Sequence, residues 1–108
     1  MSTQKHKLLA RKKSGYVQVR MLLRHPMETG NRRDKVTEVK IPRFFIRELT
    51  CEHRGVVVLS CHWGWGVSRN PYLSFRLLSG EAGEAGEAIT ITWTDNLGKS
   101  NMITTTIK

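Results

Sequence analysis

The chain is 108 residues long, with 39% hydrophobic and 25% charged residues. This length fits one domain of roughly 100 to 150 residues and excludes a two-domain enzyme with a cleft between its domains. The longest apolar run is Val56 to Leu59. That run is far shorter than the roughly 20 residues that a membrane-spanning helix needs.

The net charge of +9 is distributed unevenly along the chain. Residues 1–54 contain 14 basic and 5 acidic side chains, whereas residues 55–108 contain 4 of each. Such asymmetry favours an anionic partner, which charge alone leaves open as nucleic acid, an acidic protein surface or small anions.

Residues 1–14 are rich in Lys and Arg and show no periodic apolar pattern. This composition predicts a flexible basic arm, with the folded domain in residues 15–108. The only apolar side chains near the middle of the arm are Leu8, Leu9 and Ala10. A secretory signal needs an apolar stretch of about 7 to 15 residues, so we expect a cytoplasmic protein or one exported together with another chain.

From Gly15 onward, apolar and polar residues alternate with the period of two that is typical of β-strands. The segment 44–53 is less regular, which predicts a kink or bulge. Turn signals stand at residues 53–55, 70–71 and 95–98, and the Gly-Glu-Ala repeat of residues 80–88 predicts an exposed hairpin loop. The sequence therefore predicts an all-β, antiparallel β-sandwich of about six or seven strands. The alternating inward sets are Val17, Val19, Met21 and Leu23; Val57, Leu59, Cys61 and Trp63; Leu73, Phe75 and Leu77; and Ile89, Ile91 and Trp93.

Two Cys and two His residues raise the question of a metal site. Cys61 and His62 are adjacent, so on a strand they point to opposite faces and do not converge with Cys51 and His53 on one ion. We expect buried thiols and histidines at the solvent edge, with no disulfide within the chain. The chain also lacks a Gly-x-Ser-x-Gly elbow and a phosphate-binding Gly loop. The sequence thus predicts no catalytic, cofactor or metal site.

The densest polar segment is residues 25–34, which combine a His-Pro turn, a carboxylate, a Gly and paired Arg residues. One interpretation is a loop held by internal ion pairs between Arg32 or Arg33 and Glu28 or Asp34. The other is a recognition surface, and the two are compatible. Trp63 continues an inward strand face, whereas Trp65 lies between two glycines and is a candidate interface anchor.

Several of these strings, in this order and spacing, resemble the SoxZ family. They are His25-Pro26-Met27-Glu28-Thr29-Gly30, Arg32-Arg33-Asp34, Ile41-Pro42-Arg43, Asn70-Pro71-Tyr72-Leu73-Ser74-Phe75 and Trp93-Thr94-Asp95. SoxZ is the smaller subunit of the SoxYZ carrier of bacterial sulfur oxidation. The resemblance implies an immunoglobulin-like β-sandwich that pairs with a SoxY-like subunit, whose C-terminal cysteine arm carries the sulfur intermediate.

The same resemblance implies transient contacts with other Sox enzymes, and a periplasmic location reached by export with a signal-bearing partner. On this interpretation the chain is not an enzyme and binds no nucleic acid and no membrane. We expect the partner-binding residues to be His25, Met27, Glu28, Arg32, Arg33, Asp34, Asn70, Pro71 and Tyr72.

Two hypotheses from other classes stay open. A small basic sandwich or barrel that binds nucleic acid would place aromatic residues among Lys and Arg on one exposed sheet face. A redox or metal enzyme would need a reactive thiol at Cys51 or Cys61.

Overall fold

The computed structural model describes residues 6–78 and 84–108, and these residues form seven β-strands and no helix. The predicted all-β sandwich is therefore confirmed. None of the described elements is a helix with the length and apolar character required to cross a membrane. The strands are β1 (Lys7–Lys13), β2 (Tyr16–Leu22), β3 (Ile46–His53), β4 (Val56–His62), β5 (Tyr72–Leu78), β6 (Ala88–Asp95) and β7 (Ser100–Thr106).

The strands are arranged in two antiparallel sheets, one in the order β1-β2-β5 and the other in the order β4-β3-β6-β7. Side chains of the central strands fill the space between the sheets, because alternate residues of a strand point to the same face. The fully buried residues of these strands include Val17, Val19, Leu49, Cys51, Ile89 and Ile91.

The prediction of a flexible basic arm is wrong for Lys7–Lys13, which form β1 and pair with β2 along their whole length. Leu8 and Ala10 point inward and are buried. Two inward residues among four cations are too weak an apolar period to recognise in the sequence, and β1 is also held by its pairing with β2 and by its bridge to Ile107. Residues 1–5 lie outside the described part of the chain.

The predicted irregularity in the 44–53 segment is confirmed, because β3 shifts register between Ile46 and Glu48 and again between Cys51 and Glu52. The hairpin turn after β3 is also confirmed, with positive φ at Arg54 and Gly55. Of the predicted Gly-Glu-Ala loop, residues 80–83 lie outside the described residues, while residues 84–87 form a turn before β6 in which residues 84–86 are exposed.

The two sheets meet along one side and stay apart along the other. On the closed side, Ala10 of β1 forms a parallel bridge with Ile107, and the Lys12 amide donates to the Lys108 carbonyl at 2.7 Å. On the opposite side, β4 and β5 are the outermost strands, and within the described residues neither has a neighbouring strand on its outer edge. The sandwich therefore has one open side, between β4 and β5.

Candidate partner-binding surfaces

The inner half of the 25–34 loop is part of the core rather than an exposed surface. His25, Met27 and Glu28 are all buried. The His25 Nδ1 accepts a hydrogen bond from the Met27 amide at 3.0 Å, and its ring lies 4.5 Å from that of Phe44. The Met27 sulfur in turn accepts from the Ile46 amide at 3.4 Å. The contacts of His25 with Phe44 and of Met27 with Ile46 hold the loop against the start of β3.

Burial also affects the ionisation of His25. Its Nε2 atom is buried and has no hydrogen-bond partner among the described residues. Burial lowers the pKa of His25, because the charged imidazolium is disfavoured away from water. The neutral ring is thus the form that this site accommodates.

The second predicted cluster is joined to the first by hydrogen bonds. The Asn70 side-chain oxygen accepts from the His25 amide at 2.9 Å, and the Asn70 amide donates to the His25 carbonyl at 2.8 Å. Pro71 is buried, whereas Tyr72 is exposed. The two clusters that the sequence presents separately form one unit, from which Tyr72 projects into solvent.

The outer half of the 25–34 loop is held by internal pairs, as one of the two interpretations predicted. The Arg32 guanidinium binds both carboxylate oxygens of Glu28, and this hydrogen bond lowers the pKa of Glu28. Arg33 donates to the Glu38 carbonyl at 2.9 Å. Asp34 accepts from the backbone amides of residues 36 and 37, which lower the pKa of its carboxyl.

The face that this loop presents to solvent is therefore narrower than the predicted residue set. Arg33 and Asp34 are exposed, and the Arg32 side chain is about half exposed. Val36 and Val39 are also exposed, at 91% and 64%. These two valines were not among the residues predicted from the sequence, because single apolar residues are also common on surfaces that have no partner.

Trp65 lies beside the same loop. It is 45% exposed, its ring stacks under the Arg43 guanidinium at 4.1 Å, and Arg43 donates to the Thr29 carbonyl at 3.1 Å. The expected exposure of Trp65 is confirmed. Trp63, by contrast, faces inward and packs on the core, also as expected.

The open side of the sandwich is an apolar surface that the described residues leave uncovered. Most inward-facing residues of β4 and β5 are only partly buried there, because no further strand covers them, whereas Leu77 is buried. Exposed valine and leucine side chains line a groove between the start of β4 and the end of β5. The partly buried set is Val58, Leu59, Cys61, Leu73 and Phe75, and the groove is lined by Val56, Val57, Val58, Arg76, Leu77 and Leu78.

One residue of this side was assigned to the wrong face. Val57 was expected to point inward with Leu59, but it is 51% exposed. The register of β3 and β4 skips Val58, since Cys51 lies opposite Leu59 and Glu52 opposite Val57. An extra residue in one strand reverses the alternation beyond it. The bulge therefore turns Val57 to the same side as the exposed Glu52, at the rim of the groove between β4 and β5.

The cysteines and histidines do not gather at one point. Cys51 is buried, and burial raises its pKa to about 12. Cys61 is partly buried and both thiols are free. His62 is exposed as expected, but His53 is buried and lies 3.1 Å from Glu87, so its predicted place at the solvent edge is wrong. Within residues 6–78 and 84–108, no three His, Cys, Asp or Glu side chains are placed to hold a metal ion.

The fold and these surfaces define a small β-sandwich with one open apolar side and a loop region built from an interlocked His-Pro and Asn-Pro unit. A family model described as "Sulphur oxidation protein SoxZ" matches residues 6–106. The chain therefore belongs to the SoxZ family and is a sulfur-oxidation protein. A comparison with curated proteins found no match.

Proposed function

We propose that this chain is the non-catalytic subunit of a SoxYZ-type carrier, paired with a SoxY-like subunit that bears the sulfur intermediate on its cysteine arm. In this role the chain supplies a rigid platform and its partner supplies the reacting thiol. The complex visits other Sox enzymes in the periplasm, which the chain reaches by export with its signal-bearing partner. Membership of the SoxZ family supports the assignment to sulfur oxidation.

The observation that carries the pairing is the open side between β4 and β5. Val57 and Leu78 are 51% and 64% exposed at the rim of its groove, beside inward residues that are only partly buried. Stable protein interfaces are built on apolar centres of this kind, with about 800 Å² buried per partner. We assign this side to the SoxY-like subunit.

The thiols of this chain are poor candidates for carrying sulfur themselves. A sulfur carrier reacts as the thiolate, and burial raises the pKa of both Cys51 and Cys61. Cys51 has no exposed surface at all. These properties support a division in which the partner's cysteine carries the substrate.

The test of pairing is a single charge placed on the open side. Val57→Asp puts a carboxylate in the proposed interface. Because Val57 is exposed in the isolated chain, the substitution should leave the fold of that chain intact. Because burying an unpaired charge is costly, we expect the dissociation constant for the SoxY-like subunit to rise about tenfold to a hundredfold. The matched control is Met102→Asp, at a position 65% exposed on β7 at the closed side, which should change the constant less than about twofold.

Equal effects of the two substitutions, or none from Val57→Asp, would remove the open side from the interface. Labelling of Cys61 gives an independent measurement, since it lies on this side and should be protected in the complex. The carrier role is tested separately by mass spectrometry during turnover. Sulfur adducts on Cys61, with turnover persisting in the absence of the partner, would contradict a non-catalytic role.

A further inference from the structure

The outer face of the sheet β1-β2-β5 carries positive charge without any acidic residue. The three strands contain no Asp or Glu. Since Leu8, Val19 and Leu77 point inward, the alternate positions point to solvent. These outward positions include the cations Lys7, Arg11, Lys13, Arg20 and Arg76.

The strand register brings these cations together in adjacent rows. Arg11 lies opposite Gln18, which lies opposite Arg76, and in the next row Leu9 lies opposite Arg20. Neighbouring strands are about 4.8 Å apart and alternate residues about 7 Å apart. A shallow depression on this face is lined by Leu9, Arg11, Lys13, Gln18 and Arg20.

These cations are not neutralised by the part of the chain that the structure describes. The basic partners in the ion pairs found there are Lys12, Arg32, Arg54 and two histidines, and none of these belongs to the outward set. Arg76 contacts the face of the Tyr16 ring, with 4.6 Å from the guanidinium carbon to the ring centroid. Like charges at this spacing repel one another, so an anionic ligand would relieve that repulsion.

The apolar residues among the cations indicate which kind of anion fits. Leu9, Tyr72 and Leu78 are 48%, 61% and 64% exposed on the same three strands. A small anion needs donors that converge on one point, whereas these cations are spread across a sheet. Single-stranded nucleic acid binds such a face by stacking its bases on free aromatic rings, and the Tyr16 ring is already covered on one side by Arg76.

We propose that the outer face of β1, β2 and β5 is a docking surface for an acidic protein segment that also carries apolar side chains. It is a second surface that adjoins the open side between β4 and β5, because Arg76 and Leu78 of β5 lie at the border of both. The proposal does not depend on the identity of the subunit that covers that side. Docking of this kind weakens as salt rises, because the screening length is about 10 Å at 0.1 M ionic strength.

The test uses the full chain labelled with nitrogen-15 and two acidic peptides of equal length and charge. One peptide alternates Glu with Leu and the other alternates Glu with Ser. We expect amide shifts confined to β1, β2 and β5, with tighter binding of the Glu-Leu peptide. Arg11→Glu combined with Arg20→Glu should weaken that binding about tenfold or more. Leu9→Ser should abolish the advantage of the Glu-Leu peptide.

The matched control reverses two exposed cations outside this face, Arg47→Glu with Lys99→Glu, and should weaken binding less than about twofold. Urea unfolding checks that each variant folds. If the Arg11→Glu, Arg20→Glu variant does not fold, the Arg11→Gln, Arg20→Gln variant takes its place. Absence of amide shifts, or equal weakening by the control, would overturn the proposal. So would an oligothymidylate that binds more tightly than the Glu-Leu peptide and depends on Tyr72, because the occupant would then be nucleic acid.

Discussion

The burial of Met27 predicts a large and unusual response to substitution. The side chain is 4% exposed and its sulfur accepts the Ile46 amide. Removing a buried Met side chain costs about 2 to 5 kcal/mol of the free energy of unfolding, and an amide left without an acceptor costs about 1 to 3 kcal/mol more. We therefore expect Met27→Ala to lose about 3 kcal/mol or more, a large part of the roughly 5 to 15 kcal/mol typical of a domain.

The backbone at this position reverses the usual order of Ala and Gly. Met27 has a φ of 49°, in the left-handed region where a side chain costs about 1 kcal/mol that Gly avoids. We expect Met27→Gly to be no less stable than Met27→Ala, and more stable by up to about 1 kcal/mol. In a strand the order would be the opposite, since Gly is there less stable than Ala.

Urea unfolding followed by tryptophan fluorescence measures both differences. Met102→Ala is the control, because Met102 is 65% exposed and its truncation should change the free energy by less than about 0.5 kcal/mol. A loss below about 1 kcal/mol for Met27→Ala would refute the assignment of this loop residue to the core. A markedly less stable Gly variant would refute the backbone argument.

Three further predictions follow from named contacts. Gly30→Ala should lose more stability than Gly15→Ala: both positions have φ above +80°, but only at Gly30 would the new Cβ lie 2.6 Å from Arg43 Cγ, and paired urea unfolding measures the difference. For Glu87, hydrogen bonds lower the pKa from 4.5 to about 2, so its contribution to stability is present above pH 4.5 and is lost as pH falls toward 2. Glu87→Gln should remove this part of the acid destabilisation, and an unchanged slope of stability against pH would contradict it. Cys51, with a pKa raised to about 12, should react with a thiol reagent only as fast as the protein unfolds, and rapid labelling of the native chain would show that it is accessible.

The strands with regular alternation could be predicted from the sequence because the opposite sheet covers their inward residues, while their other face stays polar. Ile89, Ile91 and Trp93 of β6 are all buried as the pattern predicted. Strand β1 could not be predicted in the same way, since only Leu8 and Ala10 carry its apolar period. Its pairing with β2 and its bridge to Ile107 are long-range contacts that no local pattern encodes.

The candidate site was predictable in its chemistry but not in its orientation. The pairing of Arg32 with Glu28 follows from opposite charges four residues apart, and it was one of the predicted alternatives. The inward direction of His25 and Met27 depends on a left-handed residue at position 27 and on a contact with β3. The open side was missed because the order of strands within the sheets, and the bulge at Val58, decide which apolar residues stay uncovered.

The buried residues of the two loops bear on pairing through the position of β5. Asn70, the residue before Pro71, is hydrogen-bonded to His25. The Pro71 carbonyl accepts a hydrogen bond from the Leu23 amide at 3.0 Å. Because Pro71 leads directly into β5, loss of the Asn70 side chain would shift the edge strand that forms half of the open side. Weaker pairing in an Asn70 or His25 variant is therefore no evidence of direct contact with a partner. Only a substitution such as Val57→Asp, at a position already exposed, separates the surface from the structure that supports it.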